Sequence, residues 1–400
     1  MSPRPAPAPT AVGIVVALSA LAAASSASSQ CPPYPPSPAV LSVDFDSKSH
    51  RQMAGGSDNW AITWHSDGHQ YAAFGDGGGF GGSNTSGRVS LGVARIEGPY
   101  AAWAGHNVWG GRNPENPATF TGKSRGILSI GPDLWMWRTP SSNVAGYESN
   151  TLARSTDDST TWSLLPWTLG DGLVTMPTFL QFGQAYSGAR DSYVYTYAVE
   201  LEDTSALAVQ KPGKIMLLRA PVDDLASRAS WEWFAGTSAS PRWSRSSSDR
   251  RPVFEDPNGV GWTVSVSFNP ALDRYVLVTE HTRSFAGRLG MFDAPEPWGP
   301  WTTVAYYNTP WEGQSDTFFW NFSQKWADGL DFVLVYTGIA SNDAWQTVTG
   351  SFVLRSIHDD GFESGRPSAW STQPGHVRAR RPRCSPEPSP RSNLAHQAER

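Results

Sequence analysis

The chain has 400 residues, a formal net charge of −5 and 39% hydrophobic residues, and it contains 38 Gly, 32 Pro, 19 Trp and two Cys. Its aromatic content is too high for a wholly disordered protein, and its slightly acidic balance does not suit a nucleic-acid-binding protein. Two widely spaced cysteines exclude a disulfide framework and a thiolate metal cluster. The abundance of Gly, Pro and Trp argues against a helical protein.

The N-terminal segment has the features of a secretory signal peptide. Arg4 precedes an apolar run over 11–24, and small residues follow it. This run is shorter than the roughly 20 apolar residues that span a bilayer, so no membrane span is predicted. We therefore expect a signal peptide over 1–27, a Pro-rich linker over 28–44 and a secreted protein, extracellular or periplasmic.

The C-terminal segment is predicted to lie outside the fold. From Thr372 onward it carries six Arg and two Glu among mostly Pro, Ser, Gln, Ala and His residues. Such a composition is typical of a disordered basic tail. Residues 358–400 are therefore interpreted as a linker or tag followed by a disordered tail.

The body of the chain, 45–357, is predicted to be all-β. It consists of runs of four to nine residues rich in Val, Tyr, Trp, Phe and Thr, separated by turn residues. The runs recur in groups of about 40–60 residues, a spacing that favours propeller blades over a β-sandwich. Five candidate blades are predicted, at 58–97, 124–168, 175–235, 260–305 and 317–355.

One phrase supports the propeller prediction. Ser155, Asp157, Thr161 and Trp162 lie in an arrangement similar to the Asp-box of sialidase-type propellers, with Ser159 in place of the usual Gly. We expect a structural role in which the carboxylate accepts turn amides and the indole packs between strands. The box says nothing about catalysis.

The first predicted blade contains the most informative segment. The loop Ser-Asp-Gly over 66–68 predicts a tight hairpin in which Gly68 adopts a left-handed conformation. In that register His65 faces His69, and Asp58 faces Asp76 at the open end of the hairpin. Two neighbouring carboxylates are the groups that glycosidic bond cleavage requires. Strand and turn capping by the two aspartates is the alternative.

The same segment resembles a known family. The phrases Asp58-Asn-Trp, Asp67-Gly-His, Gly75-Asp76-Gly and the run over 88–98 are similar to a secreted domain family whose relatives include five-bladed propeller endo-D-arabinofuranases. The resemblance implies a five-bladed β-propeller that cleaves arabinan. The two acidic residues of the family carry over onto Asp58 and Asp76 as the catalytic pair.

Further residues are weaker candidates for substrate binding, because each also fits a core, surface or turn position. They are Asn59, Trp60, Glu148, His281, Trp320, Asn321 and Lys325. The histidines show no metal-binding spacing, so no metal site or cofactor is predicted, although Asp-rich loops are compatible with calcium. We expect a monomer acting on a polysaccharide. The alternatives are a non-catalytic glycan-binding propeller and a sialidase-like hydrolase.

Overall fold

The computed structural model describes residues 30–140, 149–169, 174–203 and 208–355. These residues form β-strands joined by turns and by short 3₁₀ segments, and the all-β prediction is confirmed. The predicted signal peptide, the C-terminal tail and Glu148 lie outside the described residues. No helix in the described ranges has the length and apolar character needed to cross a membrane.

The strands follow the runs of β-branched and aromatic residues, which suit a pleated and largely buried surface. In chain order they are β1 (Val40–Met53), β2 (Asp58–Trp64), β3 (Gln70–Gly75), β4 (Gly92–Glu97), β5 (Ala104–Trp109), β6 (Lys123–Ile130), β7 (Asp133–Thr139), β8 (Asn150–Ser155), β9 (Ser163–Leu169), β10 (Val174–Gln181), β11 (Tyr193–Glu200), β12 (Gly213–Pro221), β13 (Glu232–Phe234), β14 (Trp243–Ser244), β15 (Pro252–Asp256), β16 (Val264–Asn269), β17 (Arg274–Glu280), β18 (Leu289–Ala294), β19 (Thr302–Tyr306), β20 (Thr317–Phe322), β21 (Asp331–Gly338) and β22 (Trp345–Leu354). The 3₁₀ segments are Tyr100–Ala102, Gln184–Tyr186, Arg228–Ser230, Ser247–Asp249, Trp311–Gly313 and Ala340–Asn342.

The strands pair antiparallel in five successive units. Unit 1 is β2–β5 and unit 2 is β6–β9. Unit 3 is β10–β14, with β15 also paired to β12, and unit 4 is β16–β19. A short parallel pairing of β10 with β16 joins these two units into one ten-stranded sheet. Unit 5 is β20–β22 completed by β1, which pairs with β22. The start and the end of the described chain therefore meet in one sheet.

The first strands of the units form a closed ring. β2 contacts β6, β6 contacts β10, β10 contacts β16, β16 contacts β20, and β20 contacts β2. All five contribute side chains to an axial cavity of about 10 Å³, which is room for a single water molecule. The ring axis is therefore filled by side chains. Sheets arranged around an axis in this way constitute a β-propeller.

Aromatic side chains join neighbouring units. Trp60 in unit 1 packs edge-on against Trp345 in unit 5 with ring centroids 5.3 Å apart. Trp137 in unit 2 packs edge-on against Trp231 in unit 3 at 5.3 Å. All four indoles are fully buried. Edge-to-face packing of large rings stabilises such contacts beyond the area that they bury.

The N-terminal segment departs from the linker prediction. The Tyr34 ring packs against Phe254 at 5.1 Å, and the Ser37 hydroxyl donates to Asp293 at 2.8 Å. β1 then begins at Val40, inside the range expected for the linker. The extended Pro-rich segment lies against units 3 and 4 because its one tyrosine and its serine have buried partners there.

The Asp-box has the structural role expected for it. The Asp157 carboxylate accepts the Thr161 amide at 2.8 Å, and the Trp162 indole N–H donates to the Ser159 hydroxyl at 2.9 Å. Trp162 is buried. Ser159 adopts a positive φ of 69°. This is the conformation for which glycine is usual, so the serine occupies a glycine position.

Candidate functional site

One end of the ring gathers the charged residues. The first strands begin at this end, which we call the entry end, with Asp58 on β2 and Lys123 on β6. Antiparallel pairing brings the last residues of the second strands to the same end, Gly75 on β3 and Glu280 on β17. The loop between β21 and β22, which contains Asp343, also lies there. The strand directions alone therefore place these side chains on one face of the molecule.

The hairpin of β2 and β3 is regular at its turn. Gly68 has a φ of 85°, and the His65 amide donates to the His69 carbonyl at 2.8 Å. Ile62 pairs with Ala72, as predicted. The predicted turn and register are therefore confirmed over this part of the hairpin.

The register changes at the open end, where the prediction is wrong. Asp58 pairs with Gly75 and not with Asp76, because a β-bulge places Asn59 and Trp60 opposite the single residue Phe74. Asn59 has a φ of 70°, which accommodates the extra residue. The bulge lets the Trp60 ring stack on Phe74 at 5.0 Å in the core. Asp58 and Asp76 are therefore neighbours without being directly opposed.

Asp58 is half-buried, and one oxygen of its carboxyl group lies out of contact with solvent. Its Oδ1 is buried and accepts no hydrogen bond from the described residues. Burial raises the pKa of Asp58 to about 7; the cations of Arg125 and Lys123 oppose this shift, and the nearby carboxylates of Asp76 and Asp343 add to it. A carboxyl group with this pKa can carry a proton near neutral pH and release it to a substrate.

Asp76 lies in a different environment. Its side chain is 38% exposed and is paired with the ammonium group of the buried Lys123. Arg88 Nη2 approaches the same carboxylate at 3.6 Å. Two cations therefore balance the charge of Asp76, while Asp58 beside it accepts no hydrogen bond at Oδ1. The two carboxyl groups differ in exposure and in partners, which is how paired acids acquire separate roles.

Asp343 is a third carboxylate that the sequence analysis missed. Its backbone carbonyl accepts the Gly56 amide at 2.6 Å, which ties the end of unit 5 to the start of unit 1. Burial raises the pKa of Asp343 to about 6, and the negative charge of Asp76 contributes. Asp343 is recognisable as part of the site only from its position in the fold, because it follows a short 3₁₀ segment in a loop without a recognisable motif.

Arg125 completes the charged cluster beneath the entry end. It is 1% exposed and lies over the Trp262 ring at 4.4 Å and the Phe319 ring at 5.6 Å. Aromatic faces stabilise a buried guanidinium electrostatically. Its positive charge opposes the upward shift in the pKa of Asp58. The sequence analysis did not single out Arg125 or Lys123.

The glycine run after Asp76 allows a close backbone approach. A Cβ on Gly77 would lie 1.7 Å from the Gly56 carbonyl oxygen. No residue with a Cβ fits there, so glycine is required for the two backbone segments to pass this closely. The tight packing fixes the backbone on both sides of Asp58.

The aromatic candidates lie in the core. Trp60 is fully buried and Trp320 is 1% exposed, so neither ring offers a face to a sugar. Their prediction as substrate-binding residues is wrong. The physical reason is that rings at the contacts between units bury more apolar area than rings at the entry end would.

The polar residues predicted to bind substrate lie in different parts of the molecule. His281 is buried and stacks on the Tyr306 ring at 3.6 Å; burial lowers its pKa to about 3. Asn321 lines the narrow axial cavity and donates to the Trp60 carbonyl at 3.2 Å. Lys325 interacts electrostatically with Asp67 in the β2–β3 turn, at the opposite end of the ring. The predictions for Asn321 and Lys325 are wrong. His281 has a buried Nε2 without a hydrogen-bond partner among the described residues and stays a prediction. Asn59 adjoins Asp58 in the bulge and stays a prediction.

One cluster has the geometry of a metal site, but its polar atoms have protein partners. Within the described residues, the ligand atoms of His65, Asp67 and Asp158 lie within 4.8 Å of one another. His65 contacts the Ser129 hydroxyl at 2.7 Å and Asp158 Oδ1 at 3.0 Å. Asp67 accepts the Tyr71 hydroxyl at 2.9 Å. The cluster fastens the β2–β3 turn to unit 2, far from Asp58.

Comparison with known proteins gives two results. The profile of a domain of unknown function, DUF4185, matches residues 125–315, which run from β6 to the segment before β20. Asp58, Asp76 and Asp343 lie outside that match. No curated protein matches the sequence.

The chain is also similar to several solved structures. An α-L-arabinofuranosidase from Podospora anserina is 12% identical with a TM-score of 0.42, covering 80% of this chain and 98% of that one. A β-xylosidase, RS223, is 10% identical with a TM-score of 0.47, covering 78% and 98%. An exo-β-1,3-galactanase from Phanerochaete chrysosporium is 10% identical with a TM-score of 0.45, covering 78% and 63%.

Proposed function

We propose that the protein is a secreted glycoside hydrolase that cleaves a furanoside polysaccharide of the arabinan type. The five antiparallel units are then the blades of a five-bladed propeller, and Asp58 and Asp76 are the catalytic pair at its entry end. The resemblance of the first blade to arabinan-cleaving propellers supports the substrate class. The signal-peptide pattern over 1–27 supports secretion, and the protein is proposed to act as a monomer.

The environment of Asp58 carries this proposal. A buried carboxyl oxygen that accepts no hydrogen bond from the described residues costs free energy unless a ligand or a proton satisfies it. Burial raises the pKa of this group to about 7, so the group can donate its proton near neutral pH. A residue that only capped a strand would accept a backbone amide instead.

In the proposed reaction the two aspartates have different roles in the cleavage of one glycosidic bond. Asp58 transfers its proton to the glycosidic oxygen as the bond to the anomeric carbon breaks. Asp76 supplies the negative charge on the other side, either as nucleophile or by activating water. Lys123 pairs with the Asp76 carboxylate and holds it in place. The positive charge of Arg125 limits the rise in the pKa of Asp58. Asp343 is a positioning residue whose negative charge helps Asp58 to keep its proton.

The test is product analysis after incubation with arabinan. Wild-type protein should release new reducing ends. Asp58→Asn and Asp76→Asn should each lower the rate by about 10²–10⁴-fold, the usual contribution of a positioned acid or base. Asp223→Asn, an exposed aspartate just after β12, is the matched control and should cleave like wild type. Full activity in both site variants would remove the pair from the mechanism.

The same assay separates the non-catalytic alternative. A glycan-binding propeller would bind arabinan saturably and release no reducing ends. Binding is measured by isothermal titration calorimetry with the Asp58→Asn variant, in which hydrolysis does not consume the ligand. Binding without cleavage by wild-type protein would favour the alternative.

A further inference from the structure

A second cavity lies at the entry end, between units 4 and 5. It has a volume of about 440 Å³ and is bounded by the loop from β17 to β18 and by the segments that flank β20 and β21. Its charged lining residues are Arg283, Arg288 and Asp316, and Phe285 contributes apolar surface. None of these residues belongs to the site around Asp58.

Two arginines face this cavity without an ion-pair partner. Arg283 is exposed and Arg288 is half-buried, and no carboxylate of the described ranges lies within 4.0 Å of either guanidinium. By contrast, Arg219 pairs with Glu232 at 3.1 Å, and Arg154 contacts Asp133. The two guanidiniums therefore have donors available for a ligand.

The loop that carries these arginines is held in place. The Ala286 amide donates to the buried Glu280 carboxyl group at 2.9 Å, and the Val209 amide donates to the Ser284 hydroxyl at 2.7 Å. The Gly287 amide donates to the Thr317 carbonyl at 3.1 Å. Contacts with units 3, 4 and 5 thus preform the cavity, which lowers the entropic cost of binding.

The cavity adjoins the proposed catalytic site through aromatic contacts. Arg125, whose charge acts on Asp58, lies over Trp262 at 4.4 Å. Trp262 in turn packs edge-on against Phe285 at 6.0 Å. Because both sites also lie at the entry end, we expect one polysaccharide chain lying across that end to contact both.

We propose that this cavity binds the carboxylate of an acidic sugar residue in the polysaccharide substrate, an inference that rests on the proposed hydrolase function. Two guanidiniums and the single carboxylate of Asp316 leave one net positive charge, which matches a monoanion. The planar guanidinium fork suits a carboxylate, and the Phe285 ring offers an apolar face for the sugar. The substrate is then a partly acidic furanoside glycan.

The experiment measures binding in the Asp58→Asn background, so that it does not depend on cleavage. The probes are polygalacturonate, glucuronoxylan and neutral arabinan, titrated calorimetrically. Arg283→Gln/Arg288→Gln should weaken binding of at least one acidic probe by tenfold or more and leave binding of arabinan unchanged. The control variant Arg228→Gln/Arg245→Gln removes the same charge from the outer part of unit 3. It should change neither the binding of the acidic probes nor the binding of arabinan.

Several results would overturn the inference. They are no saturable binding of either acidic probe, an unchanged affinity in the Arg283→Gln/Arg288→Gln variant, or an equal loss for arabinan. Stronger competition by inorganic phosphate or sulfate than by galacturonate would contradict the assignment to a carboxylate. If arabinan is neither bound nor cleaved while the acidic probes still need both arginines, the proposed function fails and the cavity assignment stands.

Discussion

The two ends of strand β2 differ in how their polar groups are satisfied. At the turn end His65 is fully buried, and both ring nitrogens contact protein oxygens. At the entry end Asp58 follows an irregular path: the next residue, Asn59, has a positive φ, and Asp58 Oδ1 accepts no hydrogen bond from the described residues. Both ends contain residues capable of acid–base chemistry. Of the two ends, only the entry end has buried carboxyl oxygens without a hydrogen-bond partner among the described residues.

This difference separates structural from functional polar residues. A buried polar group with complete partners stabilises the fold and is costly to remove. A buried group without partners destabilises the fold, and its persistence indicates another role. The predictions below test this distinction, from the largest expected change to the smallest.

The largest effect is expected in the pH dependence of stability at Asp58. Because the pKa of Asp58 is about 7 in the folded protein and near 3.8 ordinarily, folded protein keeps this proton to higher pH than unfolded protein does. The resulting stabilisation is complete below pH 4 and is lost as the pH rises through 7. The Asp58→Asn variant lacks this loss. Between pH 4 and pH 8, the free energy of unfolding of the variant minus that of wild type should therefore increase by up to about 4 kcal/mol.

Urea unfolding of both proteins at several pH values measures this difference. Other groups with a raised pKa, such as Glu280 and Asp256, are present in both proteins, so their contributions cancel in the difference. A difference that stays constant with pH would show that Asp58 titrates alike in the folded and unfolded states.

The opposite behaviour is expected at the turn end. His65→Ala removes two buried contacts and leaves a small cavity, and it should cost about 2–3 kcal/mol of unfolding free energy. Activity per folded molecule should be unchanged, because His65 lies at the far end of the ring from Asp58. A stable variant with reduced cleavage would break the distinction between the two ends.

A smaller loss is expected at the hairpin turn. Gly68→Ala places a Cβ in open space at a φ of 85°, so the cost is backbone strain alone, about 1 kcal/mol. The Cβ that Gly55→Ala adds also lies in open space, and Gly55 does not have a positive φ. It is the matched control and should be nearly neutral in thermal unfolding. Equal effects of the two variants would show that the turn tolerates a side chain.

The smallest effect is expected from Asp343→Asn. Removing this negative charge should lower the pKa of Asp58, since the two carboxyl groups repel each other when ionised. The alkaline limb of the pH dependence of kcat/KM should move to lower pH by less than about one unit. Asp331→Asn, on β21 at the opposite end, should leave the profile in place. A shift to higher pH would contradict the assigned role.

The strands near the axis were predictable and the outer strands were not. The first three strands of all five units correspond to runs recognised in the sequence, because these strands are almost entirely buried. The outer strands β5, β9 and β19, as well as β1, went unrecognised. Their half-exposed residues weaken the hydrophobic pattern, and pairing with the adjacent strand decides their conformation.

The candidate site was predictable only in part. Asp58 and Asp76 lie in a single hairpin, so local rules for turns and register brought them close together. The bulge at Asn59 escaped those rules because it depends on how Trp60 packs against Trp345 in another unit. Asp343, Lys123 and Arg125 come from other units and carry no local signal. The tryptophans were misassigned because composition does not distinguish a core ring from one that faces a ligand.

The seam between β1 and β22 has a consequence for biosynthesis. Asp58 and Asp343 stand 285 positions apart, and the hydrogen bond from Gly56 to Asp343 forms only once unit 5 has been made. A ribosome-bound chain that ends before Asp343 has the first two acids but lacks both the third acid and β22, the strand that pairs with β1 and closes the ring. Under the proposed function, the site around Asp58 is therefore complete only late in translation, and a prematurely terminated chain is expected to be inert.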